Sequence, residues 1–208
     1  MSKKLVVVDY GMGNVHSVLK SLYRIKVPAV LSSRQSDIKA CCGIVLPGVG
    51  AFGDAMREIR KRKLFSVIKQ EVENGKPVIG VCLGMQILFS EGLEFGTHRG
   101  FGFIPGKVIK FKTGLKVPHM GWNNAEICKK SGLLAGIKNN TYFYFVHSYY
   151  CVPENKKVVL TKTGYGNTIF TSAVEAGNVS GFQFHPEKSG EGALKIYKNF
   201  YNICKNYK

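Results

Sequence analysis

The stretch GVCLGMQ (Gly80 to Gln86) places a cysteine where an apolar run meets a helix-like run. A nucleophile at a tight turn from strand to helix projects its side chain at the carboxyl edge of a parallel sheet, and small neighbours permit the strained backbone. We expect the helix N-terminus to favour the thiolate of Cys82 and the Leu83 amide to face a substrate oxyanion. The alternative is that Cys82 is a small buried apolar residue.

A thiol nucleophile needs a base, and the base needs an orienting group. His185 directly follows a predicted strand at 181–184, and Glu187 lies two residues further on. We therefore expect Glu187 to bend back towards the imidazole nitrogen that faces away from the thiol. Each of the other histidines fits a structural position with satisfied hydrogen bonds: His16, His98, His119 and His147.

The segment LPGVG (46–50) is the third candidate element of a site. Its glycines allow the backbone to approach a ligand closely, and the amides of Val49 or Gly50 are placed to complete an oxyanion hole opposite Leu83. The alternative is a plain turn between a strand and a helix.

The first half of the chain alternates strands and helices. Short apolar runs predict strands at 5–9, 29–31 and 77–81, and the segment 43–50 predicts a strand that runs into a glycine loop. Three- and four-residue spacing predicts helices at 15–25, 51–62 and 64–74. The second half is rich in strands, namely KVIKF, TYFYFVHSYY, KVVLTKT, NTIFTSAVEA and VSGFQF, before a closing helix at 192–202. We expect the later strands to be antiparallel additions to one sheet, with a small side sheet. The pattern predicts an α/β fold with helices on both faces of a mixed, largely parallel sheet.

Composition limits the class of protein. A chain of 208 residues with 45% hydrophobic residues fits one domain, residues 1–208, and no apolar run approaches the roughly 18 residues that a membrane span needs. The six cysteines lack zinc-ligand spacing, so we expect reduced thiols, no metal and a cytoplasmic protein. The net charge of +17 is dispersed and not interleaved with aromatic residues, which favours a basic solvated surface over nucleic-acid binding.

Together, PGVG, GVCLGMQ and HPE resemble the class I (triad) glutamine amidotransferases over essentially the whole chain. The resemblance implies a three-layer, open, twisted sheet of the flavodoxin-like kind and no cofactor. It also implies that Cys82, His185 and Glu187 hydrolyse L-glutamine to glutamate and ammonia through a glutamyl thioester. By the same resemblance, the residues that bind glutamine are Gly48, Gly50, Gln86, Ser148 and Tyr149.

Further stretches, DYGMGN, GFGFIPG, VPHMGWN and FVHSYY, are similar to one branch of this family. Its members form heterodimers with a (β/α)8-barrel cyclase of histidine biosynthesis and pass ammonia to it. The resemblance implies that six residues lie at or near that interface: Asn14, Met120, Trp122, Asn123, Tyr144 and Lys188.

Three other functions remain open from the sequence. The same subunit could serve a paralogous barrel enzyme that amidates a sugar precursor, and these motifs do not separate the two. A cysteine peptidase or thiol hydrolase would use the same strand-to-helix turn, although Gln86 and the HPE segment argue against it. A non-catalytic nucleic-acid binder is supported only by the positive charge.

Overall fold

The computed structural model describes residues 3–207, and its first half alternates strands with helices. The elements in order are β1 (Leu5–Val8), α1 (Val15–Arg24), β2 (Ala29–Ser32), α2 (Gln35–Ala40), β3 (Gly43–Leu46), α3 (Phe52–Lys61), α4 (Leu64–Glu73), β4 (Val78–Val81) and α5 (Leu83–Gln86). The predicted helices at 15–25, 51–62 and 64–74 are confirmed as α1, α3 and α4. Helix α2 was not predicted, because its six residues include one buried apolar side chain, Ile38, and so show no periodicity.

The second half is mainly strands. They are β5 (Phe89–Gly92), β6 (His98–Arg99), β7 (Ile104–Lys110), β8 (His119–Ile127), β9 (Thr141–His147), β10 (Tyr149–Pro153), β11 (Val159–Tyr165), β12 (Thr168–Ala176) and β13 (Val179–Phe182), followed by α6 (Gly190–Ala193) and α7 (Lys195–Cys204). Short 3-10 turns occupy Gly132–Leu134, Lys156–Val158 and Pro186–Lys188. The predicted final helix is therefore confirmed, although it starts and ends a few residues later than expected.

The sheet runs in the order β2-β1-β3-β4-β13-β12-β10-β7-β5-β6, with β11, β8 and β9 branching from β12. The strands from β2 to β13 in that order are all parallel. One expectation was wrong: two of the later strands are not purely antiparallel additions, because β13 pairs in parallel with β4 and antiparallel with β12, and β7 pairs in parallel with β5. This insertion brings the carboxyl end of β13, and His185 after it, beside the carboxyl end of β4 and Cys82.

Helices cover both faces of the parallel part, which gives three layers. Alternate residues of β1 point to opposite faces, so Leu5 and Val7 pack with one hydrophobic core and Val6 and Val8 with the other. Helices α1 and α7 bury their apolar residues in the first core, and α2, α3 and α4 bury theirs in the second. Full burial of each such aliphatic side chain contributes roughly 1.5–3 kcal/mol. The predicted mixed α/β sheet with helices on both faces is confirmed.

The helices are short. The longest, α1, α3, α4 and α7, have 10 residues each. At about 1.5 Å of rise per residue, such a helix is about half as long as the roughly 30 Å hydrocarbon core of a bilayer. Within residues 3–207, no helix is long and apolar enough to cross a membrane.

Candidate active site

Cys82 occupies the turn between β4 and α5 in a strained backbone conformation. Its φ is 56° and its ψ is −113°, a region that non-glycine residues rarely adopt and that costs roughly 1–3 kcal/mol. Hydrogen bonds on both sides hold it there: the Cys82 amide donates to the Phe182 carbonyl at 2.7 Å, and the Cys82 carbonyl accepts from Met85 N at 3.0 Å. The turn thus fixes the sulfur at the carboxyl edge of the sheet.

The glycines beside Cys82 are required by close backbone contacts. A Cβ atom at Gly84 would lie 1.7 Å from the Leu46 carbonyl oxygen, and a Cβ atom at Gly80 would lie 2.3 Å from the Gly84 carbonyl oxygen. Both distances are far inside van der Waals contact with backbone atoms that have little freedom to shift. The G-x-C-x-G spacing therefore lets α5 pack directly against the ends of β3 and β4.

The loop 47–50 packs against the Cys82 turn. The Tyr10 hydroxyl donates to the Pro47 carbonyl at 2.5 Å, and a Cβ atom at Gly48 would lie 2.4 Å from that hydroxyl and 3.0 Å from Leu83 Cβ. Among the described residues, the amides of Val49, Gly50 and Leu83 donate no hydrogen bond. These three residues line the same cavity as Cys82, so their amides have the unused donor capacity that an oxyanion hole requires.

His185 and Glu187 form a buried pair after β13. His185 Nδ1 lies 2.8 Å from Glu187 Oε1, and the Tyr197 hydroxyl donates to Glu187 Oε2 at 2.9 Å. The backbone of His185 is fixed by its own N–H, which donates to the Tyr144 carbonyl at 3.0 Å. The Ser189 hydroxyl donates to the His185 carbonyl at 2.6 Å. The ring orientation and the carboxylate rotamer are thus both fixed.

Charge around His185 favours its protonated form. Burial disfavours the imidazolium, but the neighbouring Cys82 sulfur and the Glu187 carboxylate outweigh burial and raise the pKa of His185 to about 10. The sulfur is close to the ring, yet no hydrogen bond of standard length and angle joins them, so Nε2 is buried without a partner among the described residues. This nitrogen is the one available to exchange a proton with a molecule in the pocket.

Most of the predicted catalytic and glutamine-binding residues line one open cavity of about 270 Å³. Its lining includes Val49, Gly50, Cys82, Leu83, Gln86, Ser148, Tyr149 and His185. Two of the predicted catalytic and glutamine-binding residues lie outside it: Gly48 and Glu187 border a smaller adjoining cavity together with Asn14 and His185. The main cavity is below the range of about 300–1,000 Å³ typical of drug-sized ligands, and it suits a ligand as small as an amino acid.

Gln183 is a contact of the sulfur that sequence reasoning missed. Its Nε2 donates to Cys82 Sγ at 3.8 Å, and its Oε1 accepts from Gln86 Nε2 at 3.1 Å. Gln86 Nε2 also donates to the Tyr149 carbonyl at 3.0 Å, so a buried pair of amides joins the sulfur to the opposite side of the cavity. The signal that could have found Gln183 is a polar residue within the apolar run VSGFQF.

Glu94 also lines the cavity and was not predicted. Among the described residues it is the one carboxylate side chain in the lining, and its Oε2 accepts from the Phe52 amide at 2.8 Å. That hydrogen bond ties the loop after β5 to the start of α3 and aims a negative charge at the cavity. No pattern in the surrounding sequence EGLEFG distinguishes Glu94 from an ordinary surface glutamate.

Comparison with known families decides the membership of this chain. The family model described as "Glutamine amidotransferase class-I" matches residues 6–204. The chain belongs to this family. It is 49% identical over 198 residues to "Imidazole glycerol phosphate synthase subunit HisH" of Aquifex aeolicus, with 95% of each chain covered. It is 43% identical to the protein of the same name from Moorella thermoacetica, with 98% of this chain and 97% of that protein covered.

Solved structures support the fold of this amidotransferase. A "Crystal structure of glutamine amidotransferase" superposes with a TM-score of 0.77 at 18% identity, covering 96% of this chain and 98% of that one. The "Structure of PurLQS from Thermotoga maritima" gives a TM-score of 0.74 at 20% identity, covering 98% and 99%. At such identities the likeness shows the fold alone.

Outside the cavity of this amidotransferase, the β8–β9 ribbon exposes large side chains. Met120 is 62% and Trp122 57% exposed, and Trp122 pairs across the ribbon with Tyr144 at 6.3 Å between ring centroids. Lys188 Nζ lies 5.8 Å from the Tyr144 ring centroid. Asn123 lies on the inner face of the ribbon, where its amide contacts His119 and the Gly164 carbonyl. Asn14 is separate and caps α1, accepting from the Ser17 amide.

The cysteines and histidines of this amidotransferase do not gather around a metal. Within residues 3–207, no group of three or more His, Cys, Asp or Glu side chains is arranged to hold a metal ion. All six cysteines are free thiols, and Cys41 and Cys42 are buried in the link between α2 and β3. Burial raises the pKa of the Cys41 thiol to about 11, which keeps that thiol neutral and unreactive.

Proposed function

We propose that this chain hydrolyses L-glutamine to L-glutamate and ammonia. The Cys82 thiolate attacks the side-chain amide carbon, and the amides of Leu83 and of Val49 or Gly50 stabilise the tetrahedral oxyanion. His185 donates its proton to the leaving ammonia, which yields a glutamyl thioester. His185 then accepts a proton from water as the water attacks the thioester, and collapse of the second tetrahedral intermediate releases glutamate and restores the Cys82 thiolate and the protonated His185. Glu187 orients His185 and stabilises its cationic form.

The amino-acid end of glutamine is held on the other side of the cavity in this proposal. Glu94 carries the charge that complements an α-ammonium group, since it is the carboxylate that lines the cavity. Backbone groups of Ser148 and Tyr149 bind the amino-acid end, and Gln86 fixes the Tyr149 carbonyl. Gly48 and Gly50 give the 47–50 loop its close approach to the substrate amide.

One observation carries the proposal: a cysteine at a strained turn shares a cavity with a histidine whose Nδ1 is fixed by a glutamate and whose Nε2 has no hydrogen-bond partner within residues 3–207. Nucleophile, base and orienting group thus stand in the order that acyl transfer needs. The cavity and the unused amides beside the sulfur support an amide as the substrate.

The proposed partner, a cyclase subunit, is supported by the names of similar relatives of this chain. Relatives at 40–49% identity are named as a subunit of imidazole glycerol phosphate synthase. This supports a heterodimer in which a (β/α)8-barrel cyclase receives the ammonia and forms imidazole glycerol phosphate and AICAR in histidine biosynthesis. Direct transfer matters because free ammonia at neutral pH is mostly protonated and no longer nucleophilic. We place this activity in the cytoplasm, on a single domain of residues 1–208, without nucleic acid, metal or organic cofactor.

The exposed side chains of Met120 and Trp122, with Tyr144 and Lys188 beside them, provide the cyclase-binding surface in this proposal. Large aromatic side chains at the centre of an interface commonly contribute most of its binding energy. We also expect Asn14, at the start of α1, and Asn123, on the inner face of the ribbon, to lie near this interface. The net charge of +17 fits an acidic partner face, and we expect the association rate to fall as ionic strength rises. A rate that is flat with salt would contradict that role for the charge.

The decisive test measures glutamate released from glutamine by the purified chain, first alone and then with the cyclase and the cyclase's nucleotide substrate. We expect a large increase with both present and complete loss in Cys82→Ala, because no other group can form the thioester. Cys128→Ala removes an exposed thiol and is the matched control, with activity unchanged. A folded wild-type protein in a verified complex that releases no glutamate would overturn the proposal.

A further inference from the structure

Two buried histidines join the substrate side of the cavity to the edge of the β8–β9 ribbon. His147 Nδ1 lies 2.8 Å from the Tyr149 carbonyl, and His147 Nε2 lies 3.0 Å from His119 Nδ1. His119 Nε2 lies 3.3 Å from Asn123 Nδ2, which also donates to the Gly164 carbonyl at 2.8 Å. His119 and His147 are opposite each other in the register of β8 and β9. The contacts form one continuous chain.

Only one assignment of protons satisfies every contact in that chain. The Tyr149 carbonyl is an acceptor, so the proton of His147 resides on Nδ1 and its Nε2 must accept. His119 therefore donates from Nδ1 and accepts at Nε2 from the Asn123 amide. Burial lowers the pKa of His147 to about 3 and that of His119 to about 4, so both rings are neutral at physiological pH. Each ring then has one donor and one acceptor, and both are used.

Aromatic rings surround the two imidazoles, and the residues are only 3% (His119) and 6% (His147) exposed. Phe111 and Phe170 lie 5.2 and 5.1 Å from the His147 ring, and Tyr165 and Phe145 lie 4.1 and 4.9 Å from the His119 ring, between centroids. For imidazole nitrogens buried to this extent, the loss of a hydrogen-bond partner costs free energy. Rotation of either ring would break hydrogen bonds made by both rings, so the two ring orientations are coupled.

The inner end of the chain meets the cavity at a carbonyl with two donors. The Tyr149 carbonyl accepts from His147 and from Gln86, and its peptide lies in the turn from β9 to β10 that lines the cavity. We propose that His147 and His119 are positioning residues that hold the Ser148–Tyr149 backbone in the orientation that binds glutamine. This inference rests on the proposed function. His147 lines the cavity, but among the described residues neither ring forms a hydrogen bond with the Cys82 sulfur, so we assign both rings to positioning and not to the chemistry.

The test uses side chains that replace one ring nitrogen at a time. In His147→Asn, the amide nitrogen stands near the former Nδ1 and still donates to Tyr149. In His147→Gln, the amide stands near the former Nε2 and loses that donor. The dissociation constant of L-glutamine is measured by calorimetry in a Cys82→Ser background, which prevents turnover. We expect His147→Gln to weaken binding by about tenfold and His147→Asn to restore most of that loss, because one buried hydrogen bond is worth about that factor.

Both variants remove the same ring, so a purely structural role predicts equal effects on the affinity for glutamine. Equal affinities in the two variants would overturn the inference. The pair His119→Asn and His119→Gln repeats the comparison one step further out, in case a His147 variant fails to fold. There the Asn variant keeps the donor to His147 and the Gln variant loses it. If the Cys82→Ser protein itself binds no glutamine, the proposed function fails instead, which keeps the two outcomes distinct.

Turnover gives a second readout that a packing defect alone would not produce. In the complex with the cyclase, we expect His147→Gln to raise KM for glutamine by about tenfold and to change kcat by less than about threefold, because the chain positions substrate and leaves His185 intact. His98→Gln, at a histidine outside the cavity and the chain, is the control. A fall in kcat with KM unchanged would contradict a positioning role.

Discussion

The two sides of the candidate active site are held in place by different forces. On one side, the Cys82 turn and the 47–50 loop meet through backbone contacts so close that glycine is required at Gly84 and Gly48. On the other side, the turn from β9 to β10 is held by side-chain hydrogen bonds to the Tyr149 carbonyl. The first side is therefore sensitive to the addition of single atoms. The second is sensitive to protonation and to the loss of single donors.

The largest expected effect comes from adding one methyl group to the first side. Gly84→Ala places a Cβ atom 1.7 Å from the Leu46 carbonyl oxygen, and neither backbone segment can move without disrupting β3 or α5. We expect a loss of roughly 3 kcal/mol or more in the free energy of unfolding, measured by urea denaturation. Gly192→Ala is the matched control, because a Cβ atom there meets nothing within 4 Å, and we expect it to be neutral or slightly stabilising. Similar effects in both variants would contradict the steric account.

A smaller effect is expected from cutting the link between the two sides. Gln183→Leu keeps the volume but removes the donor to Cys82 Sγ and the acceptor for Gln86. We expect kcat/KM for glutamine to fall roughly 10–100-fold, since hydrogen bonds to charged groups contribute about 1.5–3 kcal/mol. Alkylation of the Cys82 peptide by iodoacetamide, followed by mass spectrometry, should also slow at fixed pH. An unchanged alkylation rate would show that Gln183 does not act on the sulfur.

Acid should weaken the second side while sparing the first. The pKa values of His147 and His119 are lowered in the folded state to about 3 and about 4, so the unfolded chain binds more protons below pH 6.5. Their contribution to stability is therefore present above pH 6.5 and is lost as pH falls towards 4 and 3, with a slope of up to roughly 1.4 kcal/mol per pH unit for each ring. Denaturation curves from pH 7 to 4 measure it.

His119→Gln should reduce that acid slope, because the amide does not titrate. A slope as steep as that of the wild-type protein would rule out the neutral imidazole as its source. His185 has the opposite sign: its pKa is raised to about 10 in the folded state, so its contribution is present below pH 6.5 and is lost as pH rises through about 10. His119 and His147 therefore lower the stability of the protein in acid, whereas loss of the His185 proton lowers it in base.

The smallest expected effect concerns the Tyr197 hydroxyl, which holds the Glu187 carboxylate. Tyr197→Phe removes the hydroxyl that donates to Glu187 Oε2 but keeps the buried ring. We expect kcat to fall about three- to tenfold with little change in KM, because Glu187 keeps its bond to His185 but gains rotational freedom. Glu187→Gln should cost more, since it also removes the charge that favours the protonated ring. Equal losses in the two variants would contradict this order.

Periodicity and glycine patterns predicted most of the parallel half. The amphipathic segments predicted the ends of α1, α3 and α4 to within one residue, because each of these helices buries a regular stripe of apolar side chains. Helix α2 is too short for such a stripe. Strand β8 was not predicted. Its sequence contains one glycine and two asparagines, which are uncommon in strands, and only His119 and Ala125 are buried.

The site divides in the same way. Cys82, His185 and Glu187 stand in short local patterns, and the fold brings the first two into one cavity with Gln86, Ser148 and Tyr149. The sequence did not predict Gln183 and Glu94, because the role of each depends on residues far away in the chain. Gln183 contacts Cys82, and Glu94 lines the same cavity as Cys82. The sequence predicts only ordinary structural histidines at positions 119 and 147, since the pairing of His119 with His147 depends on the β8–β9 register.

The sequence by itself determined the strained turn at Cys82, the alternation of strands and helices, and the His-Pro-Glu segment, because each depends on neighbours within a few residues. Only the tertiary structure decided that β13 lies parallel to β4, which brings His185 beside Cys82. It also decided that two distant histidines share one hydrogen-bonded chain. The physical reason is that buried polar groups must find partners wherever the packed chain offers them, and sequence spacing does not specify those partners.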